Sequence, residues 1–149
     1  MATNAITVTN CYTSNSAGAF YLDGITLTDT GSTYSNLGGL KGGAFYLTNG
    51  AVLNLNSPTI NNLVAYDGGV FYLVNSFTAN LNTLTVTNIE ARNNGGFVHT
   101  STPGAAVASS LTFTNLNQIT NLTAGNNGGA YYLDHSLFTL NSIVDVRIT

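Results

Sequence analysis

One six-residue phrase returns five times along this chain, and a chain written that way folds as a stack of similar units. The copies are Ala17-Gly18-Ala19-Phe20-Tyr21-Leu22, Gly42-Gly43-Ala44-Phe45-Tyr46-Leu47, Gly68-Gly69-Val70-Phe71-Tyr72-Leu73, Gly95-Gly96-Phe97-Val98-His99-Thr100 and Gly128-Gly129-Ala130-Tyr131-Tyr132-Leu133. Their second glycines are 25, 26, 27 and 33 residues apart. A second phrase precedes each copy: Thr7-Val8-Thr9-Asn10-Cys11, Thr33-Tyr34-Ser35-Asn36-Leu37, Thr59-Ile60-Asn61-Asn62-Leu63, Thr85-Val86-Thr87-Asn88-Ile89 and Gln118-Ile119-Thr120-Asn121-Leu122. Its asparagines are 26, 26, 26 and 33 apart. A looser third segment lies around 25–28, 52–56, 78–82, 111–114 and 138–141.

Each unit therefore holds three short stretches in which apolar and polar residues alternate, rich in β-branched side chains and bounded by turn residues. That is the pattern of strands, and no segment carries the roughly 3.6-residue apolar period of a helix. Three strands per period predict an all-β fold: a single-stranded parallel β-helix (β-solenoid) of about five to six coils of ~26 residues, three short strands per coil. The whole chain, 1–149, reads as one such domain. Residues one period apart become vertical neighbours, about 4.8 Å apart. The long fourth interval places an insertion loop near 101–110, bulging outward without breaking the stack.

Composition narrows the partners. Charged residues are only 6% of the chain, and three Lys+Arg cannot neutralise a run of phosphates, so nucleic-acid binding is excluded. No run of about 18 apolar residues exists, so membrane insertion is not expected. A single cysteine excludes a disulfide framework. The 22 Thr and 21 Asn make a neutral polar surface, which reads as extracellular or cell-surface, although the N-terminus lacks the basic start and apolar core of a signal peptide.

Stacking turns repeated positions into columns. Asn10, Asn36, Asn62, Asn88 and Asn121 form a structural Asn ladder at a coil corner, expected inside, where each amide donates to the next. The one glycosylation sequon, Asn121-Leu122-Thr123, has its Asn in this ladder and is expected to stay unmodified. Cys11 aligns with Leu37, Leu63, Ile89 and Leu122, which predicts a buried free thiol packing as a small hydrophobe. Phe20, Phe45, Phe71, Val98 and Tyr131 face inward with Leu22, Leu47, Leu73, Thr100 and Leu133. Tyr21, Tyr46, Tyr72, His99 and Tyr132 then form an outward aromatic column, read as stacked-ring stabilisation or as a platform for sugars.

No catalytic, cofactor or metal site is expected. Asp23 and Asp134 share a repeat position but lie about four coils, roughly 19 Å, apart, too far for paired-carboxylate chemistry. His135 beside Asp134 and the lone His99 make no ligand set. The Gly-Gly pairs match no phosphate-binding loop. Lys41, Asp67 and Arg92 are spaced as a surface charge ladder, worth little energetically. On the second strand, Val8, Ile60 and Val86 point inward. Thr7 and Thr9, Thr33 and Ser35, Thr59 and Asn61, Thr85 and Thr87, and Gln118 and Thr120 therefore point out as a two-column grid. Its spacing of about 6.7 by 4.8 Å roughly resembles ice-lattice repeats, and the Thr-x-Thr rows are similar to those of ice-binding β-solenoids.

The Gly-Gly-Ala-Phe-Tyr-Leu recurrences, each preceded by an Asn phrase, resemble the right-handed β-helix repeats of the pectin-lyase-like superfamily. Among these they are most similar to the Gly-Gly-Ala-[Ile/Leu/Val] repeats of chlamydial polymorphic outer-membrane proteins and to repeats of large ciliate surface proteins. The resemblance implies a right-handed coil. The carboxylate cluster and basic residue of pectate lyases have no counterpart. The combined expectation is a non-enzymatic structural or surface module, self-associating end to end through its end coils into a fibre. The alternatives are ice binding through the Thr face and glycan binding along the aromatic column.

Overall fold

The computed structural model describes residues 1–101, 109–115 and 117–134, together with the backbone of 138–142 and 146–148. The first coil holds β1 (Ala2–Asn4), β2 (Thr7–Thr9) and β3 (Phe20–Asp23). The second holds β4 (Thr26–Thr30), β5 (Thr33–Lys41) and β6 (Phe45–Thr48), and the third β7 (Ala51–Asn56), β8 (Thr59–Asp67) and β9 (Phe71–Val74). The fourth has β10 (Phe77–Asn82), β11 (Thr85–Ala91) and β12 (Val98–Ser101), and the fifth β13 (Ser109–Thr114), β14 (Asn117–Ala124) and β15 (Tyr131–Asp134). Beyond these lie β16 (Phe138–Ser142) and β17 (Val146–Ile148). Four coils are thus described without a break, and the expected parallel solenoid is what the chain forms. The sheets run β1-β4-β7-β10-β13-β16, β2-β5-β8-β11-β14-β17 and β3-β6-β9-β12-β15.

Every pairing is parallel and keeps the repeat register, for example Thr59 beside Thr33 and Thr85 beside Thr59. The offset grows from 27 residues between the third and fourth coils (Phe71 beside Val98) to 32 between the fourth and fifth (Thr78 beside Ser110). The extra residues therefore fall between β12 and β13, where the insertion was expected. Residues 102–108 of that loop lie outside the described residues.

The corners follow from backbone sterics. Each coil places left-handed residues at matching positions: Ala5, Gly31, Ser57, Thr83 and Asn115 between the first and second sheets, and Asn10, Asn36, Asn62, Asn88 and Asn121 in the second-sheet segment. Asn reaches this region at less cost than other side chains, because its short amide can bond locally. Between the second and third sheets the left-handed position is glycine, as at Gly68 with φ of 67°. The following glycine is needed for a different reason. A Cβ on Gly43, Gly69 or Gly96 would lie under 3.0 Å from the carbonyl oxygen of the equivalent glycine one coil on.

The interior is mostly a pile of apolar columns. Phe45, Phe71, Leu47, Leu73, Leu53, Leu55, Leu81, Ile60 and Val86 are fully buried. Phe45 and Phe71 stack at 5.4 Å between ring centroids. Below them Val98 is smaller than the phenylalanines of its column. Phe97, whose carbonyl accepts from Val70 N, turns edge-on to Phe71 at 5.3 Å and fills the volume. Burial of this kind stabilises by roughly 25 cal/mol per Å² of apolar surface.

Candidate functional site

The outward face of the second sheet is built as the alternation predicts. Thr7, Thr33, Thr59, Thr85 and Gln118 form one column in direct register, and Thr9, Ser35, Asn61, Thr87 and Thr120 the other. All ten are exposed or half-buried, while Tyr34, Ile60, Val86 and Ile119 between them are buried. Hydroxyls bond along the stack: Ser35 Oγ donates to Thr9 Oγ1 at 3.1 Å. The surface is neutral, with its polar groups repeating at the coil spacing.

The aromatic column is a continuous face-to-face pile. Tyr21 and Tyr46 stack at 4.8 Å, Tyr46 and Tyr72 at 5.3 Å, and Tyr72 and His99 at 4.6 Å. Tyr132 follows His99 at 4.8 Å with a 44° tilt. Tyr21 is 52% exposed, but Tyr72 and His99, expected to face outward with it, are buried at 7% and 6%, because the neighbouring rings and coils cover them. Stacking consumes ring faces and leaves edges outward, so within the pile the geometry for sugar stacking is taken up by neighbouring rings. Lys41 Nζ sits 5.4 Å from the Tyr72 ring centroid, a cation–π contact. Burial pushes the Tyr46 and Tyr72 phenols above their usual range. Burial also holds His99 below its usual value, against the opposing pull of the Asp67 and Asp134 carboxylates.

Three other expectations need correction. The Asn ladder exists but lies on the outside of its corner. Asn62 Nδ2 donates to Asn36 Oδ1 at 3.3 Å, Asn88 to Asn62 at 3.1 Å and Asn121 to Asn88 at 2.6 Å. Asn10, Asn62, Asn88 and Asn121 are nonetheless exposed. The left-handed backbone inserts one residue into the alternation, so Thr87 and Asn88 both face out before Ile89 turns in. Asn10 heads the column, its N–H donating to Ser35 O at 3.2 Å.

Cys11 is likewise exposed, not buried. Its column is apolar, with Leu37, Leu63 and Ile89 at 2% exposure or less. Cys11 lies in the first of the described coils, at the uncovered end of this column. The charge ladder also fails as a ladder. Lys41 is in register with Asp67, but Ala91 pairs with Ala65, which sets Asn93 rather than Arg92 beside Asp67. Asp67 Oδ1 accepts from Asn93 Nδ2 at 3.0 Å and from Asn94 N at 3.1 Å, and lies 3.4 Å from His99 Nδ1 without hydrogen-bond geometry. Arg92 turns to Glu90 at 3.5 Å on the surface.

The structure also shows features that the repeat phrases did not signal. On the first sheet, Asn54 donates to Thr28 Oγ1 at 3.2 Å and Asn80 to Asn54 at 2.7 Å. Beside them Asn82 donates to Asn56 at 3.2 Å and Asn115 to Asn82 at 2.6 Å. This second amide ladder lines a trough of about 450 Å³. Its signal was the alternation at 52–56 and 78–82, which places every second polar residue outward. A second surprise is Asp29, fully buried in a column otherwise filled by Leu55, Leu81 and Phe113. Its Oδ1 accepts from Thr3 Oγ1 at 2.6 Å and Ser32 Oγ at 2.5 Å. Burial, reinforced by this carboxylate, pushes the neighbouring Tyr34 phenol far above its usual range.

Among the described residues no three or more His, Cys, Asp or Glu side chains gather as a metal site, and no helix is long and apolar enough to cross a membrane. His135 lies outside the described residues. No family model matches the chain, and no curated protein or solved structure matches it either.

Proposed function

We propose that this chain is a non-enzymatic structural β-solenoid that works outside the cell or at its surface and stacks end to end on further copies of itself. The observation that carries this is where apolar surface is left uncovered. Of the exposed large hydrophobic side chains among the described residues, Met1, Tyr12 and Tyr21 belong to the first coil and Leu133 to the fifth, while Ile25, Leu40 and Tyr66 belong to the second and third. Leu133 continues the column of Leu47 and Leu73, both fully buried, yet it is 50% exposed. Strands β1, β2 and β3 are also sheet edges, and unpaired edges template the addition of another strand. A second copy of the same fold supplies both missing contacts, because its columns carry the same side chains at the same spacing. The low charge and the Thr/Asn-rich surface support the extracellular setting. The Gly-Gly-Ala-Phe-Tyr-Leu repeats support kinship with the right-handed β-helices of the pectin-lyase-like superfamily.

Sedimentation velocity across a concentration series, with electron microscopy of the same samples, tests the stacking. Concentration-dependent growth into rods is expected, shortened by Tyr21→Asp or Leu133→Asp. A chain that stays monomeric at every concentration, or rods indifferent to both substitutions, would refute it.

A second reading is favoured by one observation, the in-register column Thr7, Thr33, Thr59 and Thr85 on a neutral outward sheet face. Such a grid offers methyl and hydroxyl groups at lattice-like spacing to an ice surface. Thermal hysteresis that is present in the native chain and lost in Thr85→Tyr supports ice binding. Absence of hysteresis removes it.

A further inference from the structure

We infer that the Asn121 side-chain amide is an acceptor for N-linked glycosylation. The inference rests on the extracellular setting proposed above. Asn121-Leu122-Thr123 has the Asn-x-Thr spacing that glycan transfer requires. The reason for expecting protection was an internal ladder, and the ladder is external. Asn121 and Thr123 are both exposed, and the left-handed turn at Asn121, with φ of 55°, holds its amide on the outer side of the corner.

The amide chemistry is compatible with the ladder. Nδ2 carries two protons, and one is donated to Asn88 Oδ1 at 2.6 Å. Transfer from a lipid-linked oligosaccharide forms the bond between Nδ2 and sugar C1 and breaks the bond from C1 to the pyrophosphate oxygen. Nδ2 releases its second proton, and the lipid pyrophosphate leaves. The remaining N–H still serves Asn88. Space for the first sugar is present as a shallow depression of about 270 Å³ at this corner, bordered by Asn62, Val64, Asn88, Glu90 and Thr123. Val64 offers an apolar wall to a sugar ring, and the amides and the Glu90 carboxylate accept from its hydroxyls.

The other members of the column lack the second requirement. Asn10-Cys11-Tyr12, Asn36-Leu37-Gly38, Asn62-Leu63-Val64 and Asn88-Ile89-Glu90 have no Ser or Thr two residues on, so the rod carries one glycan per chain. Asn121 lies in the fifth coil, but its amide is on the outer side of the corner and not at the Leu133 column, so glycan and stacking coexist.

The test is translation of the full chain behind a secretory leader into glycosylation-competent microsomes, reading only the protease-protected product. A single mobility shift reversed by peptide N-glycosidase is expected. It should be lost in Asn121→Gln and in Thr123→Ala, and kept in Thr123→Ser. An unshifted protected product, or a shift that survives Asn121→Gln, overturns the inference while leaving end-to-end stacking standing. A chain modified at Asn121 that never stacks overturns the stacking reading alone.

Discussion

Replacing Gly69 with alanine adds one methyl group where the coils touch backbone to backbone. The new Cβ would lie under 3.0 Å from Gly96 O and from Ile89 Cγ2, both in the fourth coil. A carbonyl held in a sheet cannot rotate away as a side-chain tip can, so the coils must part by on the order of an ångström to restore van der Waals contact. The bonds at this corner, Gly69 N to Gly95 O at 2.9 Å and Val70 N to Phe97 O at 3.0 Å, lengthen together. Two weakened hydrogen bonds at about 1 kcal/mol each and overpacking strain of about 1–3 kcal/mol give a destabilisation of roughly 3–5 kcal/mol. Gly129 holds the same place in the repeat phrase, yet among the described residues nothing lies within 4 Å of its added Cβ, and its φ is not left-handed. There alanine restricts only the unfolded chain, which stabilises by about 0.4–1 kcal/mol. Urea unfolding of both variants, with m compared to the native chain, measures the difference. Equal effects of Gly69→Ala and Gly129→Ala would refute the claim that vertical approach between coils, rather than backbone conformation, demands this glycine.

Further expectations concern the corners and the buried imidazole. Thr83 is a β-branched residue held at φ of 54°. Thr83→Gly should raise stability by about 0.5–1 kcal/mol, the left-handed penalty less the entropy of glycine, read as a higher urea midpoint. Asn88→Ala should lose about 1–2 kcal/mol at its φ of 57°, and Asn88→Gly much less. Equal losses would mean that the amide bonds, not the backbone, dominate that corner. His99 is held below its usual 6.5 by burial, which outweighs the Asp67 and Asp134 carboxylates. The unfolded chain therefore binds the proton first. The stability contributed by neutral His99 is complete above pH 6.5 and is lost as pH falls below it toward the folded value. His99→Phe keeps a ring in the pile and should flatten that part of the pH–stability curve, measured as urea midpoints between about pH 5 and 8. An unchanged slope would sink the assignment.

The sequence alone determined the period, the three strands per coil, and the inward and outward sides of the Thr-face strands ahead of their Asn corner. Alternation is a local property of extended backbone, so Val86 and Ile60 could be placed inside, and Thr85 and Thr59 outside, without coordinates. The column identities followed too, because equal spacing makes vertical neighbours. What the stack places above or below a side chain was not legible. Cys11 looks like Leu37 in the repeat but tops its column, so it meets solvent. Arg92 is 25 residues from Asp67 and misses it by one place, because the register joins Asp67 to Asn93. Asn88 reads as an interior amide until its left-handed φ swings it outward. Asp29 stands in an apolar column with its Oδ1 held by the nearby Ser32 and by Thr3, which winding brings there from one coil away. Gly69 and Gly129 are identical as text and differ only in whether another coil's carbonyl lies against them. Local pattern sets the direction of a side chain, whereas its neighbours belong to contacts between residues far apart in the chain, which only the wound structure brings together.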